Sequence, residues 1–266
     1  MHRSGTSLIT NWLFHCGLQV GERLVGASEG NKEGHYEDVE FLRIHEEILA
    51  GNGYPPTGLI HHKPIQVSEY QLEKLKAILK VKEQHFDQWG WKEPRTCLFL
   101  YVYRELIPGA KYLVIMRDYA AVVNSLLKRD FDVLDNAYSH RSFFTRLKWK
   151  LFRKNRKRKK LYRKNAADYL EVWIDYNEHI LNMIGDIPEK DYLVVNYSLL
   201  EMRDSDVFSF LTNEWGFRLT YFPFIKVYKK ALISAKNDID PLIKDQGLID
   251  KAKELEDRFR SYMLIV

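Results

Sequence analysis

The chain has 266 residues, 45% of them hydrophobic, with 16 Tyr, 14 Phe and 6 Trp, enough apolar mass for a substantial core and too much for a disordered chain. Two cysteines, Cys16 and Cys97, exclude a disulfide framework or a cysteine-rich zinc site, and the absence of a run of about 18 apolar residues excludes a hydrophobic spanning segment. The net charge of +5 hides an asymmetry: residues 141–164 hold 13 Lys or Arg and no Asp or Glu, leaving 28 basic against 36 acidic residues elsewhere.

The chain opens with His2-Arg3-Ser4-Gly5-Thr6-Ser7, a small-residue loop running into a predicted helix with Leu8, Ile9, Trp12 and Leu13, stopped by Gly17. Small residues let backbone N–H groups converge on an anion, at the positive end of a helix dipole. Two readings stand at this point, a phosphate cradle and an ordinary helix cap. The Gly-x-x-x-x-Gly-Lys-Ser/Thr spacing of nucleotide hydrolases is missing, with Arg3 where their Lys would be. Such a loop normally follows a buried strand, which would lie upstream of Met1.

Downstream, Gly21 to Gly34 reads as loop, and Gly30 to Glu37 as a polar stretch presenting His35 and Glu37. Phe41, Leu42, Ile44, His45, Ile48 and Leu49 recur at helical spacing up to Gly51. Ser68 caps a helix carrying Leu72, Leu75, Ile78 and Leu79. Trp89 to Lys92 is predicted as a short strand ending at Glu93-Pro94, with a helix from Arg95 to about Leu106. Tyr112 to Met116 is a buried-strand pattern, ended by Arg117-Asp118, with a helix from about Ala120 to Lys128. A helix is expected from about Ala166 to Ile184, a strand from Tyr192 to Val195, a helix from about Ser205 to Trp215, and a closing helix around Leu248 to Tyr262. Helices alternating with short apolar runs predict an α/β fold, a mainly parallel central sheet flanked by helices. One domain is expected over 1–266, with a basic helical insertion at about 140–165.

Arg117 at a strand end and Ser125 two turns into the next helix can converge on an anion. A local salt bridge of Arg117 with Asp118 or Asp130 is the competing reading. Lys92 and Arg95 place two cations at another strand end.

In this order, the Arg3–Ser7 loop, the segment Asn31-x-x-Gly34-His35-Tyr36-Glu37, Trp91-Lys92-Glu93-Pro94-Arg95, Arg117 with Ser125, and Trp173 with Tyr197-Ser198-Leu199-Leu200 resemble the sulfotransferases that use 3′-phosphoadenosine 5′-phosphosulfate. The bacterial and carbohydrate-type members are nearest, and the likeness covers roughly residues 1 to 215. The resemblance implies a P-loop-like nucleotide-binding fold. It implies that Arg3, Ser4, Gly5, Thr6 and Ser7 cradle the 5′-phosphosulfate, that Arg117 and Ser125 grip the 3′-phosphate, and that Tyr197 borders the adenine. Two anion pockets would then hold opposite ends of one doubly phosphorylated adenosine.

Glu37 is the first candidate for the base and His35 the second. Arg3 and Lys92 are expected to stabilise charge on the leaving phosphate, and His35, Lys92 and Arg95 to meet the acceptor. No metal is expected. The acceptor is expected to be a hydroxyl of a carbohydrate or glycolipid, with a small phenol or tyrosine as the alternative. Three departures stand out: the strand before the first loop is missing, Ser198 replaces an acidic residue, and the basic-glycine motif of cytosolic members is replaced at best by Lys229 and Lys230.

The basic segment interleaves its cations with Phe143, Phe144, Leu147, Trp149, Leu151, Phe152, Leu161 and Tyr162. That pattern suits an anionic membrane surface or an anionic glycan; a solvated helix or an insertion over the active site is the plain alternative. No nucleic-acid partner is expected, and the expected location is cytoplasmic with peripheral membrane contact. Two other readings remain, a P-loop small-molecule kinase and a polybasic membrane or nucleic-acid binding module.

Overall fold

Two five-residue runs of apolar and β-branched residues lie side by side in the middle of the protein. In this computed structural model, which describes residues 1–26, 34–61, 63–228 and 238–263, Tyr112–Met116 (β1) and Tyr192–Asn196 (β2) pair in parallel, Tyr112 opposite Tyr192 and Met116 opposite Asn196. Successive side chains of a strand point to opposite faces. Leu113, Ile115, Leu193 and Val195 accordingly join one hydrophobic cluster, whereas Val114, Met116, Tyr192 and Val194 join another.

The first cluster is covered by Thr6–His15 (α1), through Ile9, Trp12 and Leu13, and by Leu200–Ser209 (α8), through Leu200 and Val207. The second is built by Val39–Gly51 (α2), Glu69–His85 (α3), Leu100–Leu106 (α4), Tyr119–Ser139 (α5), Lys154–Gly185 (α7) and Gln246–Ser261 (α9). Burying these faces removes enough apolar surface from water to dominate folding, at roughly 25 cal/mol per Å². Ser68 closes the N-terminus of α3 with a capping box to Gln71, as the sequence predicts.

Helix prevails over strand, and β1–β2 is the one sheet among the described residues. The strand expected at Trp89 to Lys92 is reduced to a single bridge between Gln19 and Trp89, followed by a 3₁₀ turn over Pro94–Leu98. Trp89 and Trp91 stack with Phe41 rather than completing a ladder, because aromatic burial against α2 outweighs edge pairing there. One further parallel bridge, Val194 to Met263, brings the end of α9 to the free edge of β2.

The basic segment is helical from Phe143 on and runs into the next long helix. Phe143–Lys148 (α6), a π-helical turn over Trp149–Arg153 and α7 abut, so the cations form the first part of the helix expected only from Ala166. Trp149 anchors this arm to α5: it is buried, stacks on Tyr138 at 3.8 Å between ring centres, and donates from Nε1 to Asp135 Oδ1 at 2.7 Å. Lys154 pairs with the same carboxylate at 2.6 Å. Trp149→Ala is expected to cost about 3 kcal/mol of local stability. Hydrogen exchange should then quicken across 143–154 while the β1–β2 amides stay protected.

Candidate functional site

Gly5 caps α1 in the left-handed conformation, φ 87°, and supplies no side chain to the first turn. The leading N–H groups of a helix have no intrahelical partner, so this turn presents donors where the Ser4–Ser7 loop meets its surroundings. Arg3, itself at φ 64°, donates from Nε to Ser125 Oγ at 2.9 Å. Ser125 is buried on α5, two turns beyond the end of β1. Arg117, leaving that same strand end, donates from Nη1 to the Arg3 carbonyl at 2.7 Å. Its own carbonyl accepts from Trp173 Nε1 at 3.3 Å.

Arg3, expected on the 5′ side, is therefore in direct contact with Ser125 and Arg117, expected on the 3′ side. Burial first, then the neighbouring guanidiniums of Arg129 and Arg117, push Arg3 below its usual value, with Asp132 opposing. Like charges repel one another, and carboxylates already answer part of that here: Asp130 pairs with Arg129, and Asp132 opposes the shift of Arg3. Arg129 was not singled out in the sequence reading. It stands four residues after Ser125 on α5, one turn along the same face, and its pairing with Asp130 holds it in place. That i, i+4 relation to Ser125 was the available signal.

The second group of candidates gathers on the other side of the loop. Lys92 Nζ donates to Ser7 Oγ at 3.0 Å and to Glu37 Oε1 at 2.9 Å, so one ammonium ties the first turn of α1 to the carboxylate. Burial lowers Lys92 below the ordinary lysine range, and the Glu37 carboxylate pulls it back up. His35 Nδ1 lies 3.9 Å from Glu37 Oε1. Burial holds His35 below its ordinary value; Glu37 works against this, while Lys92 and Arg3 add to it, which leaves the imidazole neutral at neutral pH.

The 34–38 strip is pinned by local pairing. The Val25 N–H donates to the Glu37 carbonyl and the His35 N–H to the Val25 carbonyl, at 2.8 and 3.1 Å. Tyr36 between them takes φ 51°, the second of the two non-glycine residues with positive φ among the described ones. Asp38 then caps α2 and meets Lys82, which also reaches Glu22 and Glu40 at 2.8–3.1 Å. Residues 30–33 of the Gly30–Glu37 motif lie outside the described residues, as do Lys229 and Lys230.

Arg95 does not join this site. Lys92 faces the loop, and Glu93, which caps the 3₁₀ turn at Pro94–Leu98, turns into the core. There Glu93 accepts from Arg95, whose guanidinium is also held by Glu46 and by the Pro56 carbonyl. A buried guanidinium needs such partners, and Glu93, two residues away, claims it. Glu93 Oε2 lies 2.6 Å from His45 Nδ1, and His45 Nε2 lies 2.6 Å from the Tyr103 hydroxyl. Gly58, at φ 65°, lets the 55–58 loop close over Arg95; a Cβ there would sit 3.0 Å from Arg95 Cγ. Tyr197 begins a 3₁₀ turn directly after β2, and its side chain lies outside the described residues.

The arrangement can therefore hold an anion beside Arg3, Arg117 and Ser125 at a helix N-terminus. It can also present a carboxylate or a neutral imidazole beside a buried ammonium. Among the described residues no group of three His, Cys, Asp or Glu converges as a metal site, and no helix is long and apolar enough to cross a membrane. No family model, curated protein or solved structure matches the chain.

Proposed function

We propose that this chain is a sulfotransferase that moves the sulfuryl group of 3′-phosphoadenosine 5′-phosphosulfate to a hydroxyl, of a carbohydrate or glycolipid, on a P-loop-like α/β scaffold. The observation that carries the reading is the joining of Arg3, Ser125 and Arg117 by hydrogen bonds of 2.9 and 2.7 Å across more than a hundred residues of chain. A cluster of guanidiniums at the N-terminus of a helix suits a ligand with several negative groups, and the donor's two phosphates and sulfuryl group supply them. Arg117, Arg129 and Ser125 would take the 3′-phosphate, and the first turn of α1 with Lys92 the 5′ side.

The donor contributes an activated sulfuryl group. Transfer asks the protein for alignment and for stabilisation of charge on the departing phosphate oxygen. The acceptor hydroxyl gives its proton to Glu37 as its oxygen bonds to sulfur and the bond from sulfur to the phosphate oxygen breaks. His35 is the alternative proton acceptor, because it is neutral and adjacent. Lys92, already bonded to both Ser7 and Glu37, lies where it can follow the charge from one to the other.

Calorimetric titration with adenosine 3′,5′-bisphosphate and with AMP tests the assignment. Removing a charge-assisted contact costs about 1.5–3 kcal/mol, roughly 10- to 150-fold in affinity. Arg117→Ala and Arg129→Ala are each expected to lose that much for the bisphosphate and far less for AMP. Equal losses for both ligands would remove the 3′-phosphate role.

A further inference from the structure

We propose that the arm formed by α6, the π turn and the first turns of α7 docks on an anionic lipid surface, inserting its aromatic side chains at headgroup depth. This goes beyond the catalytic reading and does not depend on it. Five of the thirteen exposed large hydrophobic side chains of the described residues fall within ten positions: Phe143, Phe144, Leu147, Leu151 and Phe152, between 44% and 78% exposed. Trp149 lies among them and is buried at 2%. The arm is therefore seated on α5 by one side, through Trp149, Tyr138 and Asp135, and shows its remaining aromatics to solvent because of that seating.

The cations surround this apolar tip. Of the thirteen Lys and Arg in 141–164, all but the half-buried Lys154 are exposed, and Lys154 alone forms an ion pair among the described residues. On α7 the positive charge continues as a strip, with Arg156, Lys159, Lys160 and Arg163 lining one shallow depression. A helix that merely faces water gains from alternating signs at i, i+4, and no acidic residue is present here to provide them. A polyanionic glycan or nucleic acid would satisfy the cations and leave five large apolar side chains in water. An anionic bilayer satisfies both, headgroup phosphates meeting Lys and Arg while Phe and Leu enter the interface.

Co-sedimentation of the full chain with phosphatidylcholine vesicles, with and without phosphatidylserine, tests this. Binding is expected only with phosphatidylserine and should weaken as salt is raised. Phe143→Ser, Phe144→Ser and Phe152→Ser together are expected to lower vesicle affinity about tenfold or more, while retention on immobilised heparin stays unchanged. Arg156→Gln, Lys159→Gln and Lys160→Gln together should lower both. These side chains are exposed, so the thermal melt should match that of the unsubstituted protein. Vesicle binding that ignores phosphatidylserine, or that survives loss of the three phenylalanines, would overturn the proposal. So would binding to heparin or RNA without binding to vesicles.

Discussion

Glu37→Gln is expected to lower kcat by about 10²–10⁴-fold, the usual contribution of a positioned base, while the affinity for adenosine 3′,5′-bisphosphate stays nearly unchanged. The amide keeps the shape and can still accept from Lys92, so the Ser7–Lys92 contact and the first turn of α1 should persist. What is lost is a buried oxygen able to take a proton. Turnover of labelled donor and calorimetry on the same preparation separate the two effects. Retained turnover would pass the role to His35. In that case kcat/KM should rise with pH through a value below the ordinary histidine range, because burial and the cations Lys92 and Arg3 depress it, and that limb should vanish in His35→Asn.

Glu93→Gln should damage the fold rather than the chemistry. Glu93 receives His45, the Arg95 side chain and the Arg95 backbone N–H, all within the core. Substituting the amide leaves the Arg95 charge without its main counter-charge, and breaking a buried pair this way costs about 3–5 kcal/mol. Burial alone would raise the Glu93 carboxyl; the hydrogen bond from His45, then the charges of His45 and Arg95, overrule it and hold the group at about 2. Because the folded carboxyl titrates below its ordinary 4.5, its stabilisation is complete above that pH and is lost as the pH falls toward about 2. Urea melts should show a gap between the two proteins that is widest near neutrality and narrows by roughly 3 kcal/mol across that acid window. A constant gap would mean that the carboxylate's charge contributes nothing.

Several parts of this structure are legible from local pattern. The continuous apolar runs at 112–116 and 192–195 form strands because burial on both faces makes their identity independent of neighbours. The helices at 39–51 and 69–85 follow from periodicity and caps that lie within the same stretch. Trp89 to Lys92 has an equally plausible strand sequence and forms a single bridge, since its fate depends on stacking with Phe41, some fifty residues earlier. In the basic segment the charge composition changes after Lys164 whereas backbone helicity does not, so the helix expected from Ala166 starts earlier than its apolar pattern shows.

In the candidate site, Arg3, Ser125 and Arg117 stand out as candidates from residue type and spacing. Their mutual contact was not, because it depends on where α5 lies against the first loop. Arg95 carried the same local signal as Lys92. Only the inward turn of Glu93 toward His45, invisible in a linear reading, separates the two.

The left-handed backbone at Arg3 and Tyr36 sets how this site can fail. Each such residue costs on the order of 1–3 kcal/mol, sustained only while its surroundings insist on it. The paired amides flanking Tyr36 act as the catches of a compressed spring. When a catch is released, the loop springs back to an ordinary conformation before any helix melts. Lesions at these anchors should therefore yield a silent molecule that passes every test of foldedness.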